Sequence, residues 1–160
     1  MRLNFPAITR SDEPFLLALY ASLRADEMAL VPWNDEQKTA FITSQFQAQH
    51  HHYTTEYPHG LFQIIEFNGE KIGRLYVCEL EDEIHIIDLA ILPEFRRKGF
   101  GTEIITDILQ KAEKPVRIYL ESNNQSIGLF KRFGFQKIRD EGFYQLWECK
   151  TEHKSLNKTA

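Results

Sequence analysis

Phe15, Leu16, Leu19 and Leu23 recur at helical spacing and give the chain its first amphipathic face. Ser11 stands where a cap belongs, and Asp12 and Glu13 fall near the positive end of the helix dipole. Val31–Pro32–Trp33–Asn34 interrupts this pattern. Asn34 followed by Gln37 reads as a capping box for a second helix, which carries Phe41, Ile42 and Phe46 on one side. The period then shortens to two. Leu61–Phe67 and Lys71–Leu80 flank Asn68–Gly69, a pair suited to a two-residue hairpin turn. A second tight connection at Glu81–Asp82 leads into His85–Leu92, so three strands form an antiparallel meander.

Beyond Pro93 the helical period returns. Ile104, Ile105, Ile108, Leu109 and Ala112 mark an amphipathic helix that Lys114–Pro115 closes. Val116–Leu120 reads as a strand, and Ile127–Phe133 as a short helix with Gly134 in the place of a C-cap glycine. Lys137–Arg139 and Phe143–Cys149 form a last strand pair across Asp140–Gly142. With no repeat and no linker, the pattern predicts one α+β domain over residues 1–149 and a polar tail over 150–160.

Composition narrows the possibilities. At 160 residues and 42% hydrophobic, the chain suits a single core. Its 19 basic and 23 acidic residues give a net charge of -4, which argues against a nucleic-acid partner held by bulk electrostatics. No apolar run reaches the length of a membrane span, and Met1–Pro6 lacks the pattern of a secretory leader, so no membrane partner and a cytoplasmic location are expected. Cys78 and Cys149 sit in apolar alternation as small hydrophobes, too few for a disulfide framework or a zinc site. His50–His51–His52 lacks metal-ligand spacing, so no metal is expected.

The informative segment runs from Leu89 to Thr102. A strand ends at Pro93, and a basic turn with Arg96, Arg97 and Lys98 follows. A helix then starts near Gly99, with Phe100, Gly101 and Thr102 in its opening. Glycine permits close approach and positive φ, and the unpaired N–H groups of a first helical turn favour an anion. Together these suit a pyrophosphate. A P-loop requires Gly-Lys followed by Ser or Thr, whereas here Lys98 precedes Gly99. A dinucleotide fingerprint requires three glycines in a parallel βαβ unit.

Arg96-x-x-Gly99-x-Gly101, preceded by Asp88–Leu89–Ala90–Ile91-x-Pro93, resembles the signature of the GNAT acetyltransferase superfamily. Asn123 or Asn124, Leu129–Phe130 and Gly134–Phe135 resemble that family's strand-to-helix element. The order of elements from Ser11 to Cys149 agrees as well. The resemblance implies a mixed central sheet flanked by helices and splayed between its fourth and fifth strands. It also implies acetyl-CoA as co-substrate and transfer to a small-molecule or peptide amine, with a homodimer among the assemblies to expect. The backbone of Leu89, Ala90 and Ile91 would pair with the pantetheine arm. The N–H groups from Arg97 to Thr102 would hold the pyrophosphate, and Asn123 or Asn124 would contact the arm.

Direct transfer needs a neutral amine, a polarised carbonyl and a route for the departing thiolate. Alternation puts Glu83 and His85 on one strand face, and His85, ordinarily titrating near 6.5, is a candidate base around neutral pH. Glu83 would orient it or replace it, and Glu121 is a third option. The family's tyrosine slot holds Phe130, which cannot give a proton, so Tyr144 and Tyr119 are the candidate acids. For the acceptor, Gln45, Gln49 and Tyr53 line one side of the second helix, with Glu27, Trp33 and Tyr57 nearby. Phe130 also leaves open a non-catalytic acyl-CoA-binding module, and fold analogy alone leaves a cofactor-free interaction domain.

Overall fold

The first helical segment begins at Thr9, two residues before the expected Ser11. Thr9 donates its N–H to Asp12 Oδ2 at 2.8 Å, and its carbonyl accepts the Asp12 N–H at 3.0 Å. This closes a 3-10 turn over Arg10–Asp12. Lys71 Nζ then lies 2.6 Å from Asp12 Oδ1. Helix α1 (Glu13–Leu23) follows with Pro14 in its first turn, where a missing N–H costs nothing. This structure, a computed structural model, describes residues 2–151. The predicted tail lies outside the described residues from residue 152 onward.

Helix α2 (Ala25–Ala29) is one short turn that the periodicity did not predict. Helix α3 (Asp35–Glu56) starts as the sequence indicates. Gln37 N–H donates to Asn34 Oδ1 at 2.8 Å, and Asn34 N–H to Gln37 Oε1 at 3.0 Å. Both partners lie within four residues, so this cap needs no tertiary support.

Seven strands follow the order β1-β2-β3-β4-β5-β7-β6. They are β1 (Leu3–Asn4), β2 (Leu61–Phe67), β3 (Glu70–Glu79), β4 (Ile84–Ile91), β5 (Val116–Glu121), β6 (Gln136–Glu141) and β7 (Tyr144–Cys149). Asn68 (φ 52°) and Gly69 (φ 80°) both adopt left-handed backbone between β2 and β3, the twist a two-residue hairpin favours. β4 and β5 run parallel, in register from Ile84↔Val116 to Ile86↔Ile118. β4 continues to Ile91 and β5 to Glu121. On its other side β5 pairs antiparallel with β7 along its whole length, from Val116↔Cys149 to Glu121↔Tyr144. Helices α4 (Phe100–Lys111) and α5 (Ile127–Arg132) complete the α+β arrangement.

The chain divides into two compact units. One comprises the residues up to Leu75 together with Leu89–Arg96. Its core joins Leu16 and Tyr20 of α1, Ile42 and Phe46 of α3, and Ile64 of β2. Among the described residues, the other comprises Tyr76–Asp88 and 97–151. Its buried apolar residues include Ile104 and Ile105 of α4, Val116 and Ile118 of β5, and Leu146 and Trp147 of β7. Among the described residues no helix is long and apolar enough to cross a membrane.

α5 ends in a two-bond cap. Gly134 (φ 89°) donates to Lys131 O, and Phe135 N–H donates to Phe130 O. The rings of Phe130 and Phe135 meet edge to face at 5.1 Å, the apolar contact that accompanies this cap.

Candidate active site

The basic turn has the backbone of an anion cradle. Arg97 (φ 60°) and Gly99 (φ 89°) both adopt left-handed conformations, and Gly99 is the N-cap of α4. Left-handed Gly99 against the right-handed start of α4 turns successive N–H groups toward one point, while Arg97 follows an extended Arg96. Glu103 N–H donates to Gly99 O at 3.0 Å and starts the helical ladder. Phe100 is buried and anchors the helix start, while Arg96, Arg97 and Lys98 are exposed. Gly101 works differently from Gly99. Its backbone is helical, and a Cβ there would meet only Leu129 Cδ2 at 3.6 Å. Its contribution is openness, since φ is ordinary.

Arg96 turns back on its own unit, where Nε donates to Ile91 O at 2.9 Å. One carbonyl of the Leu89–Ile91 segment therefore already has a donor. The same segment is approached closely from β3. A Cβ on Gly73 would stand 2.2 Å from Ala90 O, so only glycine leaves that peptide in place. Sequence reasoning missed this residue. The signal was a lone glycine inside a strand pattern, which marks close backbone approach.

His85 is buried, at 4% exposure. Its Nδ1 lies 3.1 Å from Glu83 Oε2, and its ring centroid is 5.4 Å from that of Tyr119. Burial is the largest influence and holds the imidazole below its usual 6.5, with the Arg117 cation helping and Glu83 opposing. The ring is accordingly neutral at neutral pH. Arg117 extends this cluster: its Nη1 lies 3.7 Å from Glu83 Oε1, and its Nε donates to Glu148 Oε2 at 2.7 Å. Glu148 itself is 7% exposed. The sequence singled out neither Arg117 nor Glu148, because only strand register brings them together.

The remaining candidates separate cleanly. Phe130 is 3% exposed and is spent on the α5 cap, which accounts for an apolar residue in a tyrosine slot. Asn124 Oδ1 accepts the Ser126 N–H at 2.7 Å and shapes the turn before α5, whereas Asn123 stands exposed beside it. Burial and the hydrogen bond to Glu141 raise the Tyr119 hydroxyl above its usual range. Tyr144 is exposed at the start of β7. Gln49, a candidate for acceptor contact, instead accepts from the buried Arg74 Nη2 at 2.8 Å. Trp33 packs on Phe41 at 5.3 Å, and Glu27 pairs with Arg24 at 2.9 Å. A groove of about 470 Å³ lined by Thr9, Arg10, Glu13, Phe46 and His50 contains none of the expected site residues. Among the described residues no cluster of His, Cys, Asp and Glu is arranged to hold a metal ion.

Comparison with known proteins bears on this geometry. The chain is 36% identical over 97 residues to an N-alpha-acetyltransferase of Sulfurisphaera tokodaii, a match covering 49% of this chain and 58% of the relative. It is 28% identical over 97 residues to an N-alpha-acetyltransferase of Sulfolobus acidocaldarius, covering 49% and 57%. The chain thus spans less than two thirds of either relative. Its fold matches a PaiA N-acetyltransferase of Thermoplasma acidophilum in complex with coenzyme A, at a TM-score of 0.67 and 16% identity over 94% of this chain and 99% of the other. The sequence model of the acetyltransferase (GNAT) family matches residues 17–135. The chain belongs to that family, enzymes that move an acetyl group from acetyl-CoA to an amine.

Proposed function

We propose that this chain acetylates the α-amine of a peptide or protein N-terminus by direct attack on acetyl-CoA. The observation that carries the cofactor half is the left-handed pair Arg97 and Gly99 at the start of α4. It supports seating the pyrophosphate on the N–H groups from Arg97 to Thr102, in the field of Arg96, Arg97 and Lys98. The pantetheine arm runs along Leu89, Ala90 and Ile91 as an added strand, and a main-chain N–H there polarises the thioester carbonyl. Asn123 contacts the arm, since the Asn124 side chain is already committed to Ser126. The acceptor half rests on the N-alpha-acetyltransferase relatives, at 36% and 28% identity.

In this mechanism the amine nitrogen attacks the thioester carbon and the C–S bond breaks. Glu83 accepts from Nδ1 of His85, so Nε2 carries the lone pair that takes the amine's proton. The thiolate of CoA resembles that of cysteine, with a pKa of about 8.5, and is a tolerable leaving group. The candidate donors of the proton it gains are the hydroxyls of Tyr144 and Tyr119.

The test is turnover of acetyl-CoA, read as thiol release, with peptides bearing free N-termini, the same peptides blocked at the α-amine, and spermidine. Acetylation of the free peptides alone is expected, with mass spectrometry locating the group on the first residue. Turnover confined to spermidine, or to lysine side chains of the blocked peptides, rejects the acceptor assignment.

A further inference from the structure

We propose that Arg117 and Glu148 are positioning residues for the acetyl transfer, holding His85 through Glu83; this rests on His85 being the base. The argument begins with register. His85 of β4 lies directly opposite Arg117 of β5, and Arg117 lies directly opposite Glu148 of β7. One transverse row therefore crosses three neighbouring strands, and Glu83, two residues before His85, folds onto it. From the far end, Glu148 Oε2 accepts from Arg117 Nε at 2.7 Å. Arg117 Nη1 reaches Glu83 Oε1 at 3.7 Å, and Glu83 Oε2 faces His85 Nδ1 at 3.1 Å. Two carboxylates and one guanidinium give the resting row one net negative charge, which the imidazolium formed in the reaction neutralises.

Each member has a separate task. Glu148 is the most buried of the three charged groups, with side-chain exposure of 7% against 34% for Arg117 and 18% for Glu83. A carboxylate buried to that degree is retained when it is paired, and its partner here is the short bond to Arg117. Fixing Nε of a planar guanidinium also fixes the direction of its Nη groups, so Glu148 sets where Arg117 meets Glu83. Glu83 in turn sets the tautomer and orientation of the imidazole. During transfer the amine's proton passes to Nε2 of His85, and after product departs it passes to solvent. Around His85 stand Glu83, Arg117 and Tyr119, with Glu148 beyond Arg117.

The experiment follows the imidazole of His85 by NMR titration in the full chain, its resonance assigned by loss in His85→Gln. In parallel, the pH dependence of kcat is measured at saturating acetyl-CoA and saturating peptide carrying a free N-terminal alanine, so that ionisation of the free amine does not set the limb. Arg117→Met removes a cation and should move the His85 titration to higher pH. The acid limb of the rate should move with it, with a loss of kcat below neutral pH that recovers at higher pH. Glu148→Gln removes a negative charge and frees Arg117 toward Glu83, so both curves should move to lower pH. Arg117→Lys keeps the charge without the fork and should fall between wild type and Arg117→Met. It also serves where Arg117→Met does not fold. If His85 titrates unchanged in these variants, the row is a structural ion pair and the proposal is overturned. If the titration moves while the rate limb stays, His85 is not the base and the catalytic role of the row falls with it.

Discussion

Gly99 and Gly101 illustrate how similar residues serve different ends at the scale of one side chain. Gly99 needs its left-handed backbone (φ 89°), whereas Gly101 is helical with room for a methyl group beside Leu129. Gly101→Val should therefore leave a folded protein, since valine is a better helix former than glycine by a few tenths of a kcal/mol. It should weaken CoA binding by at least about tenfold, because the branched side chain stands where the pyrophosphate approaches. Calorimetry on the folded variant checks this, and unchanged affinity would remove the cofactor from this turn. At His85 the expected division is the reverse. His85→Ala should lower kcat/KM by roughly a hundredfold and leave CoA affinity intact. An undiminished rate would pass the role to Glu83, Glu121 or solvent.

What was legible in the sequence at this scale depended on the distance to each residue's partners. The Asn34–Gln37 cap, the Asn68–Gly69 turn and the Gly134 cap are local, and each forms where its spacing predicts. Thr9 took the first cap from Ser11 because Asp12 is held from both sides, by Thr9 and by Lys71 59 residues along the chain. The Arg117–Glu148 pair spans 31 residues and exists only because β5 and β7 meet in one register. No spacing rule finds such a pair.

Strands show the same limit one level up. β1 has two residues, Leu3 and Asn4, whose pairing partners are Phe67 and Glu66, so no periodicity could announce it. β3 carries Gly73, whose absent side chain lets the carbonyl of Ala90 come close. An alanine there must displace one strand from the other. Gly73→Ala should destabilise the protein by about 1–3 kcal/mol, and by shifting the Ala90 peptide it should weaken CoA binding more than thermal stability alone explains. The measurement is CoA affinity well below the melting temperature. Affinity equal to wild type there would mean that the Leu89–Ile91 segment does not meet the cofactor.

For the molecule as a whole, Asp12 and His85 tie stability to pH on the acid side. Folding holds His85 below its usual 6.5, chiefly by burial. The unfolded chain therefore binds the extra proton first as pH falls, and stability declines from about 6.5 downward until the folded protein also protonates His85. Asp12 is held below its usual 3.8, chiefly by the Lys71 hydrogen bond, so its contribution is present above that value and disappears as pH drops through the folded-state pKa. Denaturant titrations across this range should show two separate declines. His85→Gln should flatten the upper one and Asp12→Asn the lower.

Exposed charge beside the turn at Arg97 and Gly99 has a kinetic consequence. Coenzyme A carries several phosphate charges, so its capture by this turn begins as a diffusive encounter between opposite charges. What remains to tune that encounter is the field of three adjacent exposed cations, Arg96, Arg97 and Lys98. In stopped-flow experiments the association rate should therefore fall steeply as salt is raised, while the dissociation rate, set by short-range hydrogen bonds, stays nearly constant.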